Sequence, residues 1–118
     1  MPNLIVTISN KLDWDDAQLQ VIASRMEAAI QSQLDLPSHV PNVLLVRAVT
    51  APHTADVFVE FIYRTAPSRN GAVMTKLATA LAATLPPDHA GTFAFRAFGH
   101  TQETLFATDI DLTQSQVA

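Results

Sequence analysis

The stretch MPNLIVTISN, residues 1–10, decides the fold. From Asn3 to Ser9 it alternates and is rich in Ile, Val and Thr, the pattern of a β-strand. At its head stands Pro2, which has no backbone N–H and a fixed φ. Two readings are open. Pro2 is a proline tolerated at a strand start, where nothing need bond its nitrogen, or it is there for that nitrogen.

Working outward, the strand begins a pattern that repeats. Asp13 is a candidate N-cap, with Asp15 and Asp16 in the first turn where the helix dipole favours them. Leu19, Ile22, Met26, Ile30 and Leu34 then recur at helical spacing, and the helix is expected to stop before Pro37. Asn42 to Thr50 reads as a second strand, residues 51–54 as a turn, and Asp56 to Arg64 as a third strand. A loop over 66–71 offers Ser68 or Asn70 as the next cap. Val73, Leu77, Ala80, Leu81 and Thr84 mark a second helix, ended by Pro86 and Pro87. Thr92 to Phe98 is a fourth strand. After Gly99, a short strand over Leu105–Ile110 is one option, and 114–118 are expected to fray.

The order is β-α-β twice, over about 2–50 and about 55–100, followed by a tail over 101–118. This predicts a single α/β domain: tandem β-α-β units forming a four-stranded mixed sheet with both helices on one face. A chain of 118 residues suffices for one such core and is too short for two domains.

Composition narrows the function classes. Nearly half of the residues are apolar and 15% are charged, which favours a folded chain. Net charge is −4, and the seven basic residues are scattered, so nucleic-acid binding is disfavoured. There is no cysteine, which removes disulfides, thiolate metal sites and cysteine nucleophiles. His39, His53, His89 and His100 are far apart, with no i, i+4 pair, so no metal site is expected. No signal peptide is read, and no apolar run approaches the roughly 18 residues of a membrane span. A soluble, cytoplasmic protein without a membrane partner is the expectation.

Strand parity points to self-association. One register collects Leu4, Val6, Ile8, Leu44, Val46, Ala48, Val57, Val59, Phe61, Phe93, Phe95 and Ala97, and suits the helices. The other collects Ile5, Thr7, Val43, Leu45, Arg47, Val49, Phe58, Glu60, Ile62, Arg64, Ala94, Arg96 and Phe98. It is too apolar to face water alone, so it is expected to pack against other subunits, with Arg47, Glu60 and Arg96 paired inside.

Met1-Pro2 followed by Leu-Ile-Val, with two β-α-β units in a chain of this length, resembles the tautomerase superfamily over the chain to about His100. The resemblance implies a cofactor-independent tautomerase or isomerase, a homotrimer, and a catalytic Pro2. Removal of Met1 leaves Pro2 with a free secondary amine. A free α-amino group titrates at about 7.7–8.0, and an apolar pocket disfavours its cation. Such an amine near neutrality takes a proton from carbon and returns it elsewhere.

The rest of the site is expected to hold a small carboxylate substrate, for which arginine is well suited. The segment from Phe58 to Arg69 resembles a dehalogenase strand that runs into two substrate-binding arginines, which implies that role for Arg64 and Arg69. Leu34-Asp-Leu-Pro resembles a turn of 4-oxalocrotonate tautomerase, and Asn42 stands where that family has a substrate arginine. Asn42 retains a hydrogen-bond donor with less charge stabilisation. Phe93 and Phe95 stand where the cytokine member of the superfamily has pocket tyrosine and asparagine, implying a more apolar wall. The dehalogenase's histidine falls near Ala29, which argues against that activity. Two alternatives stay open: another proline-dependent reaction (decarboxylation, hydration or dehalogenation) and a non-catalytic binding or assembly protein.

Overall fold

The central strand is the one with which the sequence opens. The computed structural model describes residues 2–35, 41–87 and 91–113. In it β1 (Asn3–Ser9) is followed by α1 (Asp16–Leu34), β2 (Asn42–Ala48), β3 (Val57–Arg64), α2 (Gly71–Ala82) and β4 (Phe93–His100). The sheet order is β2-β1-β3-β4. Each β-α-β unit pairs its own strands in parallel, β1 with β2 and β3 with β4. The two units join through the antiparallel pair β1–β3. The sheet is therefore mixed, as the repeat predicts.

One face of this sheet carries the core. Leu4, Val6 and Ile8 of β1 lie opposite Phe61, Val59 and Val57 of β3, and all six are buried. Leu19, Ile22, Met26 and Ile30 of α1, Leu77 and Leu81 of α2, and Leu85 just beyond it complete the cluster. Burying each such side chain contributes roughly 1.5–3 kcal/mol. Both helices thus cover the same face, which leaves the other face of the sheet open.

Local chemistry sets the helix ends. The N-cap of α1 is Asp15 rather than Asp13. Its carboxylate accepts from the Gln18 N–H (2.8 Å), and the Gln18 side chain accepts in turn from the Asp15 N–H (2.9 Å). Only Asp15 has a Gln three residues on, so only it closes this reciprocal box. The helix stops at Leu34 with Asp35 in the left-handed region (φ 53°). Asn70 caps α2, accepting from the Val73 N–H at 3.1 Å. That helix ends at Ala82, short of the prolines, where the Thr84 N–H turns back to the Leu81 carbonyl.

Three expectations change. In β2 the parity is reversed: Val43, Leu45 and Arg47 align with Leu4, Val6 and Ile8 on the helix side, and Leu44, Val46 and Ala48 fall on the open face. Residues 43–46 are all apolar, so alternation within the strand cannot choose a face. Arg47 consequently leaves the open face and meets α1, its Nη1 donating to Asp16 Oδ1 (2.7 Å) and Nη2 to the Trp14 carbonyl (2.8 Å). Glu60 and Arg96 are register partners on the open face, yet form no ion pair among the described residues. Arg96 instead sits 5.5 Å from the centroid of the Phe58 ring. Finally, residues 105–110 form no strand within the chain. Pro37, His39, His89 and 114–118 lie outside the described residues.

Candidate active site

The topology gathers several chain ends at one end of the sheet. Because β1 and β3 run antiparallel with Asn3 opposite Ile62, the start of β1 lies beside the end of β3. Parallel pairing brings the start of β2 and the end of β4 to the same place. In chain order the C-terminus of α1 precedes the start of β2, and the end of β3 leads into the N-terminus of α2. Pro2, Asn42, Arg64 and Arg69 therefore share one end of the molecule.

Pro2 is buried there. Its carbonyl accepts from the Asn42 N–H at 3.0 Å, which extends the β1–β2 ladder by one bond. The ring is thereby fixed although it has no N–H of its own to donate. Beside it, the Asn42 side-chain amide donates to Asn3 Oδ1 at 2.9 Å. This pair borders a cavity of about 350 Å³ lined by Asn3, Ile5, Asn42, Val43 and Leu44. Asn42 is thus partly occupied, and it holds Asn3 in place. Sequence reasoning missed Asn3, whose signal was a polar residue heading an otherwise apolar alternation.

The arginines differ. Arg64 ends β3, exposed, and carries no carboxylate partner among the described residues. Arg69 is half-buried and turns its Nη1 back to the Arg64 carbonyl at 2.7 Å, which clamps the loop between β3 and α2. It lines a second cavity of about 340 Å³, with Gln33, Leu34, Asp35, Ser68 and Val73. Gln33 carried no signal beyond its place in the last turn of α1.

Tyr63 precedes Arg64 and stacks on Phe61 with centroids 5.5 Å apart. Gly99 lies against it. A Cβ at position 99 would fall 2.6 Å from Thr65 Cγ2 and 3.2 Å from the Tyr63 ring. A larger residue there would require the Thr65 and Tyr63 side chains to shift.

Phe93 and Phe95 are not brought to this end. Phe93 pairs with Val57 and so lies in the row of Ile8, six residues along β1 from Pro2, or about 20 Å. Both rings face the helices and pack on the core, Phe95 stacking near Phe61 at 6.4 Å. They build the interior rather than a wall beside Pro2 of the same chain. His100, at the end of β4, is half-buried and its carbonyl accepts from the Thr65 N–H. No cluster of three metal-ligating side chains occurs among the described residues. No described helix is long and apolar enough to cross a membrane.

Solved structures share this architecture. A macrophage migration inhibitory factor-like protein from Entamoeba histolytica superposes with a TM-score of 0.67 at 12% identity, over 91% of this chain and 95% of that one. Malonate semialdehyde decarboxylase gives 0.63 at 11% identity, over 98% of both chains. A fused 4-OT, solved as a symmetric trimer, gives 0.61 at 15% identity, over 90% of this chain and 93% of that one. No family model matches the chain, and no curated protein matches it. At such identities the likeness is one of fold, and it spans nearly the whole chain.

Proposed function

We propose that this chain, which has the fold of the tautomerase superfamily, is a tautomerase or isomerase. It acts through the amine of Pro2 on an enol or unsaturated 2-oxo acid. The observation that carries this reading is the buried Pro2, pinned through its carbonyl at the sheet end where two arginines also lie. Once Met1 is removed, the Pro2 nitrogen is a secondary amine in a restricted direction. It takes a proton from the substrate enol and delivers it to carbon. Arg64 binds the carboxylate, and its charge stabilises the enolate that develops. Arg69 shapes the loop and takes part through any donor not bound to the Arg64 carbonyl. Asn42 and Asn3 present amides to a carbonyl or hydroxyl oxygen. No cofactor enters the scheme. The functional unit is a homo-oligomer, with three copies as the expected number.

A second reading keeps the amine and changes the reaction. The similarity to malonate semialdehyde decarboxylase extends over nearly all of both chains. Asn42 also supplies no charge where a tautomerase arginine was expected. Decarboxylation or hydration of a small 3-oxo or unsaturated acid is that alternative.

The test is ketonisation of 2-hydroxymuconate and phenylenolpyruvate by the wild type beside Pro2→Ala, over roughly pH 5 to 9, a range that spans the amine's titration. Mass spectrometry of the intact protein first establishes that Met1 is absent. Loss of the amine is expected to lower kcat by about 10²–10⁴-fold, the usual weight of a general acid–base group. Equal rates for the two proteins would sink the tautomerase reading for these substrates. Activity on malonate semialdehyde alone would instead select the second reading.

A further inference from the structure

Tyr63 is the chain's only tyrosine, and its ring and its hydroxyl do different things. The ring packs. It is half-buried against the core and stacks on Phe61 with 5.5 Å between centroids and 12° between planes. A phenylalanine would pack in the same way. The hydroxyl has no hydrogen-bond partner among the described residues, although a tyrosine O–H held against a core usually finds one. Its place is nevertheless defined. A Cβ at Gly99 would stand 3.2 Å from both Cζ and Oη of Tyr63, so the phenol end lies over Gly99 of β4.

Register ties this hydroxyl to Pro2. Asn3 pairs with Ile62 and Leu4 with Phe61, so the next position of that ladder sets Pro2 opposite Tyr63. Tyr63 pairs in turn with Gly99. Pro2, Tyr63 and Gly99 thus form one row across β1, β3 and β4. Pro2 and Tyr63 each lie two residues from the buried Leu4 and Phe61, so both belong to the helix side of the sheet. Two strand spacings separate the ends of the row, which puts the hydroxyl roughly 10 Å from Pro2. A small 2-oxo acid spans that gap. Three bonds from its C3 to a carboxylate oxygen cover about 4 Å. An approach of about 3–3.5 Å between amine and C3, and a hydrogen bond of about 2.5–3.0 Å at the carboxylate, fill the rest.

We infer that the Tyr63 hydroxyl donates to the substrate carboxylate and sets its distance from Pro2. A carboxylate accepts several hydrogen bonds at once, so the phenol works together with Arg64, the next residue at the end of β3. Arg64 supplies charge on a long, exposed side chain. Tyr63 supplies a donor whose ring is already fixed by packing. No proton leaves the phenol. The site then favours acids whose reacting carbon is C3, beside the 2-oxo carbon, over acids whose reacting carbon lies further from that carboxylate. The chemistry at C3 rests on the Pro2 reading; the carboxylate contact does not.

The single tyrosine makes the contact visible. Protein made with 3-fluorotyrosine carries one fluorine NMR signal, at position 63. Phenylpyruvate is expected to move this signal saturably, in the wild type and in Pro2→Ala alike. Benzyl methyl ketone, the same skeleton with a methyl group in place of the carboxylate, is expected to leave it in place. In parallel, Tyr63→Phe removes one oxygen and keeps the ring, so its unfolding midpoint is expected to match the wild type. In ketonisation of phenylenolpyruvate its kcat/KM is expected to fall about 10–100-fold, the weight of one hydrogen bond to a charged acceptor, with most of the fall in KM. A signal unmoved by phenylpyruvate, a signal moved equally by the ketone, or a Tyr63→Phe enzyme with the wild-type KM overturns the inference. Where phenylenolpyruvate is not turned over, the fluorine signal alone decides. A Pro2→Ala protein that turns over like the wild type while its signal still moves would remove the amine from the reaction and leave the carboxylate contact standing.

Discussion

Phe61 and Ile62 are neighbours in β3, and they face opposite environments. Phe61 points to the helices, fully buried, with Leu4 across the strand and Tyr63 and Phe95 stacked beside it. Ile62 points to the open face, opposite Asn3 and Phe98, half-exposed. The helix side of the sheet is finished by this chain alone. The open side carries the half-exposed Leu44, Val46 and Phe98 and is covered by nothing among the described residues. The fold therefore separates what makes the subunit stable from a face left uncovered among the described residues, residue by residue along one strand.

The largest expected effect breaks the finished side. Phe61→Ala removes a buried ring and leaves a cavity, at a cost of about 3–5 kcal/mol. Chemical denaturation should show that loss at every protein concentration. Ile62→Ala, one residue on, should leave the subunit's own stability nearly unchanged and alter only its concentration dependence. Equal losses for the two variants, independent of concentration, would contradict the division between the faces.

This division was legible in β1, β3 and β4 and illegible in β2. Leu4, Val6 and Ile8 alternate with Asn3, Ile5 and Thr7, so a polar residue marks the outer register. In β4, Phe93 and Phe95 flank Ala94, with Arg96 outside, and the parity is again marked. In β2, Val43 to Val46 offer four apolar residues in a row, and the only charge, Arg47, suggested the wrong face. A long arginine at a sheet corner can reach a helix N-terminus from the helix side, and only the tertiary position of Asp16 shows that it does. The candidate site was partly legible for the same kind of reason. The repeat supplies the two parallel pairs, and the antiparallel β1–β3 pairing, which the structure adds, brings Pro2, Asn42, Arg64 and Arg69 to one sheet end. The inward turn of Phe93 and Phe95 was not legible as a conflict, since aromatic residues suit a core and a pocket wall alike.

A smaller effect sharpens the comparison at β2. Leu44→Asp places a charge on the open face, and Leu45→Asp places one on the helix side. Leu44→Asp should keep its CD spectrum and lose association, read as a fall in sedimentation coefficient. Leu45→Asp should destabilise the fold itself, because a carboxylate beside the core has no partner to offset its lost hydration. A reversed pair of outcomes would restore the parity expected from the sequence.

The smallest effect concerns the contact that marks that parity. Arg47 and Asp16 meet at 2.7 Å, yet their side chains are 43% and 87% exposed. Water screens such a pair, so it contributes about 0–1 kcal/mol. Asp16 also gains from its place in the first turn of α1, where a negative charge suits the helix dipole, and it keeps that gain without Arg47. The hydrogen bond from Arg47 Nη2 to the Trp14 carbonyl is lost with it. Arg47→Ala is therefore expected to cost no more than about 1.5–2.5 kcal/mol, the exposed ion pair together with one hydrogen bond from a charged donor at the low end of its range. The part due to the ion pair should vanish near 1 M salt, where the Debye length is about 3 Å. A loss that persists undiminished in high salt would mean that the Trp14 contact or the packing of the arginine stem, rather than charge, ties α1 to the end of β2.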